Sequence, residues 1–274
     1  MSKSTTCSTC RRSKLLYFVS SVFELRPRGY WFPTPADGEY AHAAIIHAIS
    51  SVDSVAGQRL HDMRRHKRMT CGFVHSRDSG ILLRITFMDQ DGLHYAHSLL
   101  NALSKQLTLR IGSIVCDIVA FDVGNTEWTG VSTWADLLAG TPARSMRFVF
   151  NTPTAITKRD TDGGRFMSLY PDPLTVFSGL ARRWQALDGP ALPDDLRNYL
   201  QGGDCVVANY ELTTIEFHTT ERIQIGFMGH IVYTCLQNNL PYILAFNALA
   251  RLAFYTGVGY QTARGMGITR TTCS

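Results

Sequence analysis

No Asp or Glu follows Glu221 in this 274-residue chain, while Arg222, Arg251, Arg264 and Arg270 all do. A one-signed end of this kind suits a polyanion better than an acidic ligand. Other absences narrow the reading further. There is no Gly-Lys-Ser/Thr and no G-x-G-x-x-G, so neither a nucleotide P-loop nor a dinucleotide fingerprint is present. Cys7-x-x-Cys10 has no second pair at zinc spacing, and no metal or other cofactor is expected. The seven cysteines are an odd, scattered set, a poor disulfide framework that fits a reducing cytosol. The longest apolar helical pattern contains Asn247 and Arg251 and is too short to span a bilayer. The apolar run 15–23 follows Arg11, Arg12 and Lys14 as a secretion signal would. It is rich in β-branched and aromatic residues and no small-x-small site follows, so it reads as a first strand. A soluble cytoplasmic protein without membrane contact is expected.

The formal charge of +5 is modest, but its distribution is uneven. Arg11, Arg12 and Lys14 with Arg26 and Arg28 form one basic group, and Arg64, Arg65, His66, Lys67 and Arg68 a second. These groups and the terminal arginines make a polyanion-binding face if they meet in space, and ordinary solvated surface charge if they do not.

The hydrophobic periodicity predicts an α+β protein. Residues 1–13 read as a flexible tail. A strand (14–25), a helix (39–52), a short helix ending near 63, two strands (69–74 and 81–88), a helix (93–107) and a strand (110–121) follow. Asp78-Ser79-Gly80 marks the turn between the middle strands. After a linker at 124–140, helical over 132–138, the same β-α-β-β-α-β order returns. Strand 145–152 leads to a polar loop at 158–164, helices at 174–187 and 192–200, strands at 206–217 and 224–235, helix 241–254 and a last strand. This predicts two tandem ferredoxin-like domains with antiparallel sheets, one over 14–140 and one over 141–274.

The run from Tyr255 to Arg270 is the most informative stretch. Gly257, Gly259, Gly265 and Gly267 bracket Arg264 after an apolar helix. Such a loop either lets a bulky ligand approach the main chain, with backbone N–H groups aimed at phosphates, or turns tightly against the sheet. The first reading makes these four glycines and Arg264 a phosphate-binding site for a polyanion, with Arg270, Arg251, Lys158 and Arg165 as further candidates.

This loop, the doubled fold order and Arg59-Leu-His-Asp-Met-Arg-Arg-His-Lys-Arg-Met-Thr70 together resemble the CRISPR-repeat endoribonucleases of the RAMP superfamily, the sixth Cas family. Leu60-His61-Asp62 and Lys67-Arg68-Met69-Thr70 carry the match early in the chain. Pro153 to Lys158, Pro171-Asp-Pro173, Arg182-Arg183-Trp184 and Gly226-Phe-Met-Gly-His230 carry it later. The resemblance spans about 14–270 and implies metal-free cleavage of CRISPR precursor RNA within repeats, leaving a 2′,3′-cyclic phosphate and a 5′-hydroxyl. It implies CRISPR repeat RNA as partner, with effector-complex subunits and a second copy of the chain as further partners. A non-catalytic guide-RNA-binding subunit of an effector complex is the alternative. An unrelated RRM-type reader ranks third, because strands 69–74 and 81–88 hold only Phe73 and Phe87 without the flanking aromatic pattern.

Such chemistry needs a proton acceptor, a proton donor and a cation on the phosphorane. His61 takes the acid or base role; otherwise it is an exposed helix-end histidine. Lys67 is placed on the phosphorane, with Arg64, Arg65 and Arg68 able to stand in for it. His47 and His42 compete for the partner role. His47 is favoured because it lies off the apolar stripe of Ala41, Ala44, Ile45, Ala48, Ile49 and Val52, while His42 sits at the stripe's edge. An ungapped placement sets Ile46 at the family's assisting position, a departure from the pattern. His66, His75, His94, His97, His218 and His230 read as surface or structural residues.

Overall fold

The computed structural model describes residues 17–62, 68–75, 80–122, 124, 126–218 and 223–273. Two ferredoxin-like domains lie in tandem. The first contains β1 (Tyr17–Pro27), α1 (Asp37–Val52), α2 (Ser54–Asp62), β2 (Met69–His75), β3 (Ile81–Asp89), α3 (Gly92–Gln106), β4 (Thr108–Ile111) and β5 (Ile114–Asp122). Its antiparallel sheet runs β2-β3-β1-β5-β4. The strand expected over 110–121 is two strands. Ile111 and Ile114 pair across a two-residue turn in which Gly112 has φ +59°, a conformation that matches hairpin twist and favours glycine. The turn expected at 78–80 falls largely outside the described residues.

The linker contributes a short strand, β6 (Gly130–Ser132), paired with β1, and a one-turn helix, α4 (Trp134–Leu138). The second domain follows with β7 (Ser145–Thr154), β8 (Ile156–Arg159), β9 (Arg165–Ser168), α5 (Pro173–Ala186), α6 (Leu196–Gln201), β10 (Cys205–His218), β11 (Ile223–Cys235), α7 (Leu240–Thr256) and β12 (Thr269–Cys273). Its sheet order is β10-β11-β7-β12. The segment expected to be a polar loop at 158–164 instead contributes to the β8–β9 hairpin. Its turn is held by the Asp160 carboxylate, which accepts the amides of Asp162 (3.1 Å) and Gly164 (2.6 Å). Helix α6 starts four residues later than expected, at Leu196, whose amide donates to Pro193 O.

The cores follow from side-chain period. On α1, Ala41, Ile45, Ala48 and Ile49 recur at helical spacing and pack with Val19, Phe23 and Ile85 of the first sheet. Strand β1 is buried on both faces. Its Phe18 belongs to the second domain's core, 5.4 Å from the Tyr255 ring, while Val19 and Phe23 face α1 and α3. Helix α7 is apolar on all sides because it is sandwiched between the domains. Two of its polar side chains anchor the linker. Asn247 accepts the Ala143 amide and donates to the Ala143 carbonyl, both at 2.7 Å, and Arg251 donates to Leu137 O at 2.9 Å. No described helix is long and apolar enough to cross a membrane.

The domains meet at the C-terminal end of α7, where helix carbonyls lack intrahelical donors. Arg84 of β3 is buried there. Its Nη2 donates to Phe254 O at 2.7 Å, its Nε to Trp128 O at 3.0 Å, and the guanidinium lies 4.3 Å from the Phe254 ring centre. Desolvation lowers its pKa to about 9, so it stays charged at neutral pH. Thr86 donates its hydroxyl to Tyr255 O at 2.9 Å, and Thr70 to the same oxygen at 3.2 Å. Replacing Arg84 with Met removes a buried donor from Phe254 O and is expected to lower stability by about 2–4 kcal/mol in urea unfolding. A loss below about 0.5 kcal/mol would mean that this guanidinium does not hold the domains together.

Candidate functional site

His61 is positioned by the way α2 leaves α1. Asp53 breaks the helix with extended backbone and then caps α2, its Oδ1 accepting the Ala56 amide at 2.9 Å. Its Oδ2 meets His94 Nε2 at 2.7 Å, and the Ala56 bond first and His94 second hold the carboxyl below its ordinary pKa. Ala56 and Leu60 are buried in the first core, so His61, one residue on, turns outward with its side chain 72 % exposed. Asp62 Oδ1 lies 3.1 Å from His61 Nδ1, and Gln58 donates to Asp62 Oδ2 at 2.8 Å. With Nδ1–H donating to that carboxylate, Nε2 is the ring nitrogen left for another partner.

His47 lies exposed on the outer side of α1, off the apolar stripe as expected. His42, placed at the stripe's edge, is less accessible than His47. It is buried with Ala41 and Ile45, because its position one residue after Ala41 still falls within the helix face that covers the sheet. Lys67, Arg64 and Arg65 lie outside the described residues. Arg68 is half-buried at the entrance to β2, where its carbonyl accepts the Met88 amide at 2.8 Å.

The glycine loop is folded against the protein. Gly257 (φ +64°) ends α7, and a Cβ there would meet Gly267 O at 2.6 Å. The Gly257 amide donates to Ala253 O at 2.9 Å and the Gly267 amide to Pro153 O at 3.1 Å. These two N–H groups are therefore engaged internally, which corrects the expectation that they face RNA. Gly259 is half-buried, and Gly265 (φ +94°) is buried where a Cβ would lie 2.9 Å from Gly38 Cα of α1. Arg183 of α5 clamps the loop, donating to Thr256 O (2.6 Å), Gly257 O (2.7 Å) and Gly259 O (2.6 Å). Desolvation lowers its pKa to about 10. Nothing in the adjacent Arg182-Arg183 pair distinguished the clamp from a solvated charge.

Arg264, on a single 3-10 turn (Thr262–Arg264), keeps its side chain 45 % exposed and pairs with Glu39 in the first turn of α1, Nη1 to Oε1 2.5 Å. The loop thereby reaches the helix pair that carries His47 and His61. A cleft of about 280 Å³ opens beside it, lined by Met88, Arg183, Tyr260, Gln261 and Arg264. A second of about 400 Å³ shares Tyr260 and Gln261 and is flanked by Arg182.

Like Arg251, which donates to Leu137 O, two other candidate cations have internal partners. Arg270 pairs with Glu127 and lies 4.8 Å from the Trp128 ring centre, held there by the edge position of β12. Lys158 Nζ is 2.6 Å from Asp172 Oδ2, and Asp172 caps α5 by accepting the Thr175 amide at 2.8 Å. Arg165 stands exposed opposite Arg159 in the β8–β9 hairpin.

Comparison with known proteins gives these positions a context. Residues 148–269 match the family model of the CRISPR-associated endoribonuclease Cas6. Solved structures match over nearly the whole chain. A Cas6 product complex does so with TM-score 0.81 and 25 % identity over 93 % of this chain and 100 % of that one. A second Cas6 product complex has TM-score 0.72 and 26 % identity over 93 % and 99 %. The chain is similar to Cas6 proteins in sequence over its second domain and in fold over nearly its whole length. A Thermus thermophilus Cas6 is also similar, with TM-score 0.73 and 25 % identity over 94 % and 99 %. No curated protein matches. The family-model match runs from within β7 to the first residue of β12 and includes the glycine loop, whereas α1 and α2 precede it.

The Lys158–Asp172 pair makes a pH prediction. Burial opposes the Asp172 carboxylate, and hydrogen bonds from Lys158 and Thr175 outweigh it, leaving the pKa below the ordinary 3.8. A depressed acid contributes stability above its unfolded pKa and loses it as pH falls through the folded value. Asp172→Asn is expected to be less stable at pH 6 and to show a flatter acid limb in urea midpoints measured from pH 6 down to about 2. Parallel limbs for the two proteins would remove Asp172 from acid unfolding.

Proposed function

We propose that this chain is a Cas6-type endoribonuclease that cleaves CRISPR precursor RNA within its repeats, without a metal ion, by attack of the substrate's own 2′-hydroxyl. The products are a 2′,3′-cyclic phosphate and a 5′-hydroxyl, and the reaction yields mature guide RNA in the cytoplasm. The observation that carries this reading is the outward-facing imidazole of His61, oriented by Asp62 at the end of a helix whose partner, α1, is joined to the glycine loop by Arg264 and Glu39.

His61 acts as general acid or base, a role that contributes about 10²–10⁴-fold in rate. His47, exposed on the adjoining helix, is the partner for the second proton transfer. Lys67, with Arg64, Arg65 and Arg68 beside it in sequence, places positive charge on the phosphorane oxygens. Catalysis thus belongs to the domain over 14–140. The domain over 141–274 grips the RNA backbone through Arg264 and the main chain around Gly259 and Gly265.

Incubation with a cognate repeat RNA in EDTA, with mapping of the product ends, tests the chemistry. Cleavage is expected to persist, and His61→Ala to slow single turnover at least about tenfold. Cleavage abolished by the chelator would sink the metal-free route, and an unchanged His61→Ala rate would move the proton transfer elsewhere. Intact RNA that is nonetheless bound by the wild-type protein would mark a guide-holding subunit.

Binding is tested separately. Arg264→Ala is expected to weaken RNA affinity and to reduce the slope of log K against log salt by about one. An unaltered slope would show that Arg264 does not contact phosphate.

A further inference from the structure

The cysteine spacing shows no disulfide framework, yet the fold brings two cysteines face to face. Cys205 is the first residue of β10, Cys235 is the last of β11, and the register sets them directly opposite. The next pair out is joined through the backbone, the Leu236 amide donating to Asp204 O at 2.8 Å. Hydrogen-bonded and non-hydrogen-bonded pairs alternate along an antiparallel ladder. Cys205 and Cys235 are therefore a non-hydrogen-bonded pair, the class with Cα atoms only about 4.5 Å apart and side chains closest. Disulfides span Cα separations of about 4.4–6.8 Å, so closure needs little backbone movement.

Both thiols are free and buried, and they are hydrogen-bonded to each other. Arg144 braces the same corner, its Nε donating to Cys235 O at 3.0 Å. Tyr199, stacked on Tyr242 with ring centroids 4.3 Å apart, brings its hydroxyl to Cys235. We propose that Cys205 and Cys235 form a redox-active pair that closes reversibly into a cross-strand disulfide at the base of the β10–β11 hairpin.

The two sulfurs divide the roles. The hydrogen bond from Cys205 first, then that from Tyr199 and the Arg144 charge, hold the Cys235 thiol below its ordinary pKa, while Cys205 is pushed up. Cys235 loses its proton and attacks a low-molecular-weight disulfide, forming a mixed disulfide and expelling one small thiol. Cys205 then loses its proton and attacks the Cys235 sulfur, expelling the second. Two protein thiols are oxidised by two electrons, and the small disulfide is reduced to two thiols. Their place at the strand ends, where ladders fray, supplies access to buried sulfur.

Trypsin cuts after Arg197, Arg222 and Arg251, so the two cysteines fall in separate peptides, 198–222 and 223–251. The full-length protein is equilibrated with glutathione disulfide, quenched with iodoacetamide, digested without reduction and weighed. The expected product is the two peptides joined, two hydrogens lighter than their sum, and separated by dithiothreitol. Oxidation is also expected to raise the thermal midpoint by about 3 °C or more in the wild type and not in Cys235→Ser. Recovery of both cysteines as alkylated or singly glutathionylated peptides overturns the proposal, whatever the stability of the variant. RNA plays no part in this measurement, so its outcome is independent of the cleavage reading.

Discussion

The C-terminal end of α7 is the point on which both domains depend. A helix end concentrates partial negative charge on its last carbonyls, and burying them without donors is costly. Here Phe254 O is met by Arg84, Tyr255 O by Thr70 and Thr86, and Thr256 O and Gly257 O by Arg183. Three of these side chains come from the first sheet and one from α5. Two desolvated guanidinium groups without a carboxylate partner would be unfavourable in an apolar core. Against a helix C-terminus their charge is opposed by the dipole, and their N–H groups find carbonyl acceptors.

That junction also determines where the glycine loop lies. Arg183 continues from the helix end to Gly259 O, so the clamp that finishes α7 is the one that shapes the loop's first turn. The loop then crosses to the first domain, where Gly265 sits against Gly38 and Arg264 reaches Glu39. Glycine is required at 265 by close approach of two backbones, a packing demand. The group the loop presents outward is an arginine side chain. The proposed RNA contact at Arg264 and the interdomain packing at Gly265 therefore fall on neighbouring residues of one segment, and a change at Gly265 would disturb both.

Much of this was legible in local pattern. The α1 stripe, the apolar character of α7 and the repeated strand and helix order follow from side-chain period, which depends only on near neighbours along the chain. The outward direction of His61 and His47 follows from the same rule. Period alone left His42 at the stripe's edge and did not decide its burial, because the width of the buried face depends on how closely the sheet approaches. It also missed the Gly112 turn, which a single glycine between Ile111 and Ser113 marks only faintly.

Charge was the least legible property. Lys158, Arg270, Arg183 and Arg84 look alike as letters, yet one pairs with a helix cap, one with Glu127 and an indole ring, and two with the end of α7. The chain's own order of apolar and polar residues settled which segments become helix or strand and which faces they hide, since those choices are made within a few residues. Which arginines face solvent, which glycine amides are engaged and which cysteines meet was decided by pairing across the fold. Those partners lie far apart along the chain, and only the packed domains bring them within bonding distance.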